Sequence, residues 1–484
     1  MSRRLAVWAV VAALALPAGA GAALQEGLLE RAGTDILRVE TVPSTRLAGL
    51  AGMGLAVPDE ATELNAYDFG LSISGLLEDA DGWTLDSWMA NQRLSLEQSA
   101  HSFERSREWS GASIVRRGED RALGAHVEWS RYAAPGEDWT SSRVGGPEVA
   151  ALLNQRLGPA IVGIRLGLES EDERRDSRDF FAIHHEQQRT VGQVGAQAGY
   201  AGLVFGATWD FERGDIRGKS EDPARFHQDD YIWSRPIDRY GFFALLPRRG
   251  ALEGGVRVSA LDREGSERVE ISWSDRSPRN ASRSTFRTQA VTFWEEEADL
   301  LLATRWRLHA DARTILGLEA GYRDRDQSVV EGINYKGSLR QGAADESQVM
   351  AGAALSRRIL RDRVMAVVEG RASSSDREWG TDGDLRTATA RWAQAAIGFE
   401  FSAAPAVLLR GAVYAASEDE DIDAPLTLTA TRGVTGGISW LPRGGLIQVH
   451  AALQYQKIDR EENAALDLEA GEGLGFSLGM RMLP

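Results

Sequence analysis

The residues of this chain that could do chemistry are few and scattered. The stretch AIHHEQQ sets His184, His185 and Glu186 in a row. Neighbouring side chains of an extended chain point to opposite sides, so the two imidazoles do not readily share a metal, and a polar loop tip accounts for them. His126, His450 and Ser259 fall on the polar faces of alternating segments. A serine nucleophile needs its base and an orienting group within hydrogen-bond reach, and no local motif joins these three. Gly52-Met53-Gly54 has two glycines of a phosphate-binding turn, without the third glycine or the following helix. No metal, no cofactor and no enzyme activity is therefore expected. More informative are the charges that recur on polar faces: Arg165, Glu169, Arg257, Arg305, Glu319, Arg323, Glu369, Arg371, Glu400 and Arg410. They fit a charged lumen that selects solutes. They fit equally well ion pairs that brace a wall across adjacent strands. Both signs are present, so no charge selectivity follows.

The segments that carry these charges read as strands. In AIVGIRLGLES, Val162, Ile164, Leu166 and Leu168 share one face, and Gly163, Arg165, Gly167 and Glu169 share the other. A period of two over such a run gives a strand with one apolar and one polar side. The same alternation recurs in ALEGGVRVSALDRE, ADLLLATRWRL, LIQVHAALQYQ and LGFSLGMRM. Runs of about ten residues match a tilted strand that crosses a bilayer. Tight turns are expected at Gly118 to Asp120, Gly158-Pro159, Pro247 to Gly250, Arg361 to Arg363, Ala403 to Pro405 and Pro442 to Gly445. Long polar stretches at 133–146, 171–189, 214–237, 263–297, 325–346, 375–387 and 459–473 separate them.

Short turns at one end and long loops at the other predict an all-β fold: a transmembrane, antiparallel, up-and-down β-barrel. It has about 18 strands within a range of about 14–18, short periplasmic turns and long extracellular loops. The first strand is expected near Phe69, both ends of the ring lie on the short-turn side, and 79–107 does not resolve into strands. Two alternating segments inside 263–297 are candidates for strand extensions above the membrane. Trp129, Trp209, Tyr322 and Tyr455 should face lipid near the long-loop ends, and Trp306 and Trp440 near the short-turn ends. Trp392 phases inward and does not fit these belts.

Residues 1–22 read as a secretory signal peptide: Arg3 and Arg4, an apolar run from Leu5, Pro17, then small residues. Its removal takes the formal net charge from −16 to −18. A chain so acidic is a poor partner for nucleic acid. Cys is absent, so no disulfide holds the exported protein. The organisation expected is a signal at 1–22, an N-terminal periplasmic or lumen-plug segment at 23–66, and a transmembrane barrel at 67–484, placed in the outer membrane with lipid around it.

The stretch AGLAGMGLAVPDEATELNAYDFG resembles the N-terminal signature of the long-chain fatty-acid transporter family of outer-membrane barrels and of related secretion-associated barrels. The matching residues are Gly52-Met53-Gly54, Asp59-Glu60-Ala61 and Leu64-Asn65, with Ala66 where those relatives have Pro. The resemblance implies an N-terminal segment folded inside the barrel as a plug, with Gly52, Gly54, Asp59 and Asn65 in it. Irregular backbone is tolerated at membrane depth only inside a barrel, and a periplasmic tail is the alternative. The function expected is an outer-membrane channel or transporter for small solutes, apolar ones included. The alternatives are a scaffold or secretion-partner barrel and, more weakly, a barrel-embedded lipid hydrolase. The sequence identifies no protein partner.

Overall fold

The structure, a computed structural model, describes residues 50, 51, 53, 55 and 56, and then 82–482. Within the latter it omits 99–100, 134–138, 178–181, 223–226, 235, 276–284, 334–338, 382–383, 423–426, 443–446 and 463–468. The export signal, the proposed start near Phe69, and Gly52, Gly54, Asp59 and Asn65 lie outside the described residues.

The described chain is a meander of antiparallel strands. It opens with β1 (Gly82–Gln98), β2 (His101–Arg117), β3 (Arg121–Ala133), β4 (Trp139–Leu157), β5 (Ala160–Ser177), β6 (Ala182–Tyr200) and β7 (Leu203–Asp222). It continues through β8 (His227–Ser234), β9 (Ile237–Arg249), β10 (Leu252–Asp275), β11 (Thr285–His309), β12 (Thr314–Ile333) and β13 (Leu339–Ile359). It ends with β14 (Val364–Thr381), β15 (Asp384–Ala404), β16 (Val407–Ile422), β17 (Thr427–Trp440), β18 (Ile447–Glu462) and β19 (Glu469–Met482). The last strand returns to the first, with Leu85 opposite Met482 and Gln98 opposite Glu469, and the ring closes.

Strands β8 and β9 form one stave. Both lie between β7 and β10, β8 against their far halves and β9 against their near halves. The break falls at Pro236, which has no N–H to give to a ladder. The barrel therefore has 18 staves, the even number that leaves both ends of the ring on the short-turn side. Residues 79–107, ambiguous in sequence, supply the first hairpin.

The long polar stretches differ from expectation. They are largely ladder: β10 and β11 run 24 and 25 residues, and their pairing continues to Asp275 opposite Thr285. The extra length stands above the roughly ten residues needed to cross a bilayer. These are the extensions expected inside 263–297; elsewhere polar composition hides them, because a two-sided polar hairpin in water has no alternation to read.

Alternation sorts the rest. Leu166, Leu168, Leu318, Val368, Ile397, Phe399 and Val413 are exposed on the outside, while Arg257, Glu319, Glu369 and Arg410 are buried on the inside. An apolar exterior of this extent is a lipid-facing surface, because water would not tolerate it. Trp129, Trp209, Tyr322 and Tyr455 are exposed on the outside towards the long hairpins, and Trp440 is exposed at the other rim. Trp392 shares the inward face with Ala396 and Gly398.

Candidate functional site

Two inward rows of side chains on neighbouring staves form the most organised part of the lumen wall. The register of the ladders builds them. In the first row Arg305 of β11 stands opposite Glu319 of β12, Glu319 opposite Gly352 of β13, and Gly352 opposite Arg371 of β14. Arg305 Nη2 lies 3.0 Å from Glu319 Oε2, and Arg371 Nε lies 2.9 Å from Glu319 Oε1. Glycine makes this bridge across β13 feasible: a Cβ on Gly352 would sit 2.6 Å from Glu319 Oε1. Arg371 Nη2 also reaches Glu369 Oε1 at 2.7 Å. The result is an alternating chain of cations and anions across four staves.

The second row lies one pleat nearer the short turns: Glu253, Arg307, Gly317, Ala354 and Glu369, on β10 to β14 in order. Small residues stand in its middle and charges at its ends. Leu55 occupies the gap. Its N–H donates to Glu369 Oε2 at 3.0 Å, and its carbonyl accepts from Arg307 Nε at 2.9 Å. Arg307 is held from behind by Glu253, 3.5 Å away, and His309 Nε2 lies 3.3 Å from the same carboxylate oxygen. A Cβ on Gly317 would fall 2.5 Å from the Leu55 carbonyl oxygen, so only glycine admits that backbone. One row further down, Ser356 Oγ donates to the Ala56 carbonyl at 2.6 Å.

Apolar contacts complete the seat. Leu50 and Met53 pack with Met365, Val367, Ala396, Ala412 and Tyr414, and Leu55 and Ala56 pack with Ile315 and Ala354. These side chains form an apolar patch beside the charged rows. Leu50, Met53, Leu55 and Ala56 are at most 1 % exposed, so the seat is covered completely. Backbone groups buried this way must be paired, and the charged partners give hydrogen bonds roughly twice as strong as neutral ones.

Of the residues singled out by sequence, Arg305, Glu319, Glu369 and Arg371 meet here. Glu400 and Arg410 pair beside them at 2.8 Å, and Arg410 also donates to Ser439 Oγ. Arg165 lies on β5 and pairs with Glu148; Glu169 is two pleats away on the same strand. Arg257 is buried on β10. Arg323 pairs with Asp299 at 2.6 Å. Sequence did not single out Arg307, Glu253, Ser356, Gly317 or Gly352; their roles depend on register and on a partner some 250 residues away. Ser259 and His126 sit on distant staves. His450 finds a different serine, Ser439, directly opposite on β17, with Oγ 2.6 Å from Nδ1. That pair faces the lumen, and Ser439 has no exposed surface.

No family model and no curated protein matches the sequence. Among solved structures, the chain is similar to the ferric yersiniabactin uptake receptor of Yersinia pestis, with TM-score 0.42 and 10 % identity over 84 % of this chain and 80 % of that one. It is similar also to the toluene transporter TodX of Pseudomonas putida, with TM-score 0.34 and 10 % identity over 90 % and 96 %. The copper transporter OprC gives TM-score 0.41 and 9 % identity over 84 % and 81 %. What each of those proteins carries is a property of that protein.

Proposed function

We propose that this chain is an outer-membrane channel for small solutes, with an N-terminal segment seated against one wall of its lumen. One observation carries the proposal. The interior of an 18-stave ring is lined by charged and polar side chains that pair with their neighbours along the wall. Rings of about 16–18 strands are too wide for inward side chains to close the middle, and they leave an aqueous passage. The export signal and the lipid-facing exterior support the outer membrane as its place.

The seat around Leu55 favours a second reading, a barrel held shut that serves as a scaffold or secretion partner. The lipid-hydrolase alternative has the Ser439–His450 pair in its favour. Against it, a serine without exposed surface offers no approach to a substrate carbonyl.

Planar-bilayer recording separates the first two. Discrete current steps are expected from the native chain, and more frequent or larger ones from the double variant Arg307→Ala, Glu369→Ala. Silence from both proteins, inserted and folded, would overturn the channel in favour of the scaffold.

A further inference from the structure

The two rims of the barrel carry opposite charge. The long-hairpin end has acidic runs such as Glu295 to Glu297 and Glu418 to Asp421. The short turn between β13 and β14, with its neighbour between β11 and β12, is arginine-rich instead. Arg313, Arg357, Arg358, Arg361 and Arg363 are all exposed there, against Asp311 and Asp362. Asp362 is engaged by Arg313, whose Nε lies 2.9 Å from Oδ1. Asp311 accepts the Arg313 N–H at 2.7 Å and the Thr314 hydroxyl at 3.2 Å. The guanidinium groups of Arg358, Arg361 and Arg363 have no hydrogen-bond or ion-pair partner among the described residues.

Position on the wall gives these cations a meaning. Arg357 points outward on β13 between Leu355 and Ile359, which are 49 % and 42 % exposed on the lipid-facing side. Leu360 follows at the apex, 69 % exposed. Leu360, Arg361 and Asp362 all have positive φ, at 51°, 57° and 67°, a conformation that ordinarily selects glycine or asparagine. The turn holds it through the Arg313–Asp362 pair and a hydrogen bond from Ser402 N to the Arg363 carbonyl. Backbone kept in a sparsely populated region needs surroundings that enforce it, and here it presents an apolar tip flanked by guanidinium groups.

From this arrangement we infer a binding site for the phosphate of an anionic phospholipid headgroup, in the leaflet that the short turns face. It is formed by Arg357, Arg361 and Arg363 around Leu360. The site sits where hydrocarbon gives way to water, which is where headgroup phosphates lie. Arginine stems lie along apolar surface while their heads reach that level. Guanidinium groups match phosphate oxygens in pairs. An acidic protein would need a surface clear of the bilayer, whereas Arg357 is flanked on its own strand by lipid-facing side chains. The inference rests on the barrel spanning a membrane.

The test uses the full chain reconstituted into vesicles of phosphatidylcholine with a minor share of phosphatidylglycerol. Flotation checks insertion, and native mass spectrometry after mild extraction counts retained lipids. The native protein should retain phosphatidylglycerol in preference to phosphatidylcholine. The variant R357Q/R361Q/R363Q should lose about tenfold or more of that preference, as high salt should, because each basic residue near an anionic surface contributes about 1 kcal/mol. Neutralising Glu418 and Glu420 at the other rim should change nothing. Equal retention of both lipids, or a preference that survives the three substitutions in a protein that floats with the vesicles, would overturn the site. Failure of the native chain to float would overturn the membrane-spanning barrel itself, and the site with it.

Discussion

The lumen wall from β10 to β16 and the wall from β4 to β7 are built from the same alternation but behave differently. On β4 to β7 the inward polar groups pair locally: Arg165 with Glu148, and Gln193 with Asp210 directly opposite. Partners there are 17 residues apart and one ladder away. On β10 to β16 the charges form chains across several staves, and two of them reach Leu55 over separations of 252 and 314 residues. Small residues mark the difference. Gly317 and Ala354 clear a floor on one wall that the Leu55 backbone can lie on, and Gly352 leaves room for Glu319 to bridge to Arg371. A brace needs only opposite charges, whereas a seat also needs an absence of side chains.

Removing a charge should expose that difference. Glu369→Ala strips the Leu55 N–H of its acceptor and takes a buried anion from Arg371, each of them enclosed. The loss of stability in denaturant titration should be about 3 kcal/mol, the low end for breaking buried pairs because Arg371 keeps Glu319. Glu148→Ala on the opposite wall should lose no more than about 1 kcal/mol, since that pair is partly open to solvent. Equal losses from the two variants would erase the contrast.

Gly317→Val should come next. The added carbons strike the Leu55 carbonyl, and overpacking of this kind costs about 1–3 kcal/mol. The segment should leave its seat while the ring of strands stays closed. Protease should then cut near residue 55 in a barrel that still migrates as folded, whereas continued protection would show that the seat tolerates a side chain at 317.

The smallest effect belongs to the turn between β11 and β12. The N–H of Arg313 bonds the Asp311 carboxylate and, with the Thr314 hydroxyl and the charge of Arg357, holds its pKa below the ordinary 3.8. A depressed carboxylate contributes stability that is fully present above 3.8 and is lost as the pH falls through the lower, folded value. Asp311→Asn should therefore flatten the acid limb of the unfolding midpoint slightly below about pH 4 and leave neutral pH little changed. A larger shift at neutral pH would mean that the side chain does more than cap its turn.

Much of this was legible in the sequence. Alternation in segments such as 160–170 and 298–308 gives both the membrane-crossing strands and their inward charges, because a bilayer outside and water inside impose opposite demands on successive residues. Tight turns such as Gly118 to Asp120 fixed which end was short. The extensions inside 263–297 were legible too, whereas those elsewhere did not show, since runs such as Glu171 to Arg175 are polar on both faces. Nor did the seat. Gly317 looks like any strand glycine until Leu55 lies across it, and Ser439 with His450 emerges only when β17 and β18 are in register.

The central claim is that residues 50, 51, 53, 55 and 56 lie inside the barrel against β12 to β16. The chain has no cysteine, so engineered pairs report without background. Leu55→Cys should form a disulfide rapidly with Ala354→Cys, its packing neighbour. It should form none with Gln193→Cys on the opposite wall. Equal cross-linking to both walls, or to neither, in a folded membrane-inserted barrel would contradict the account.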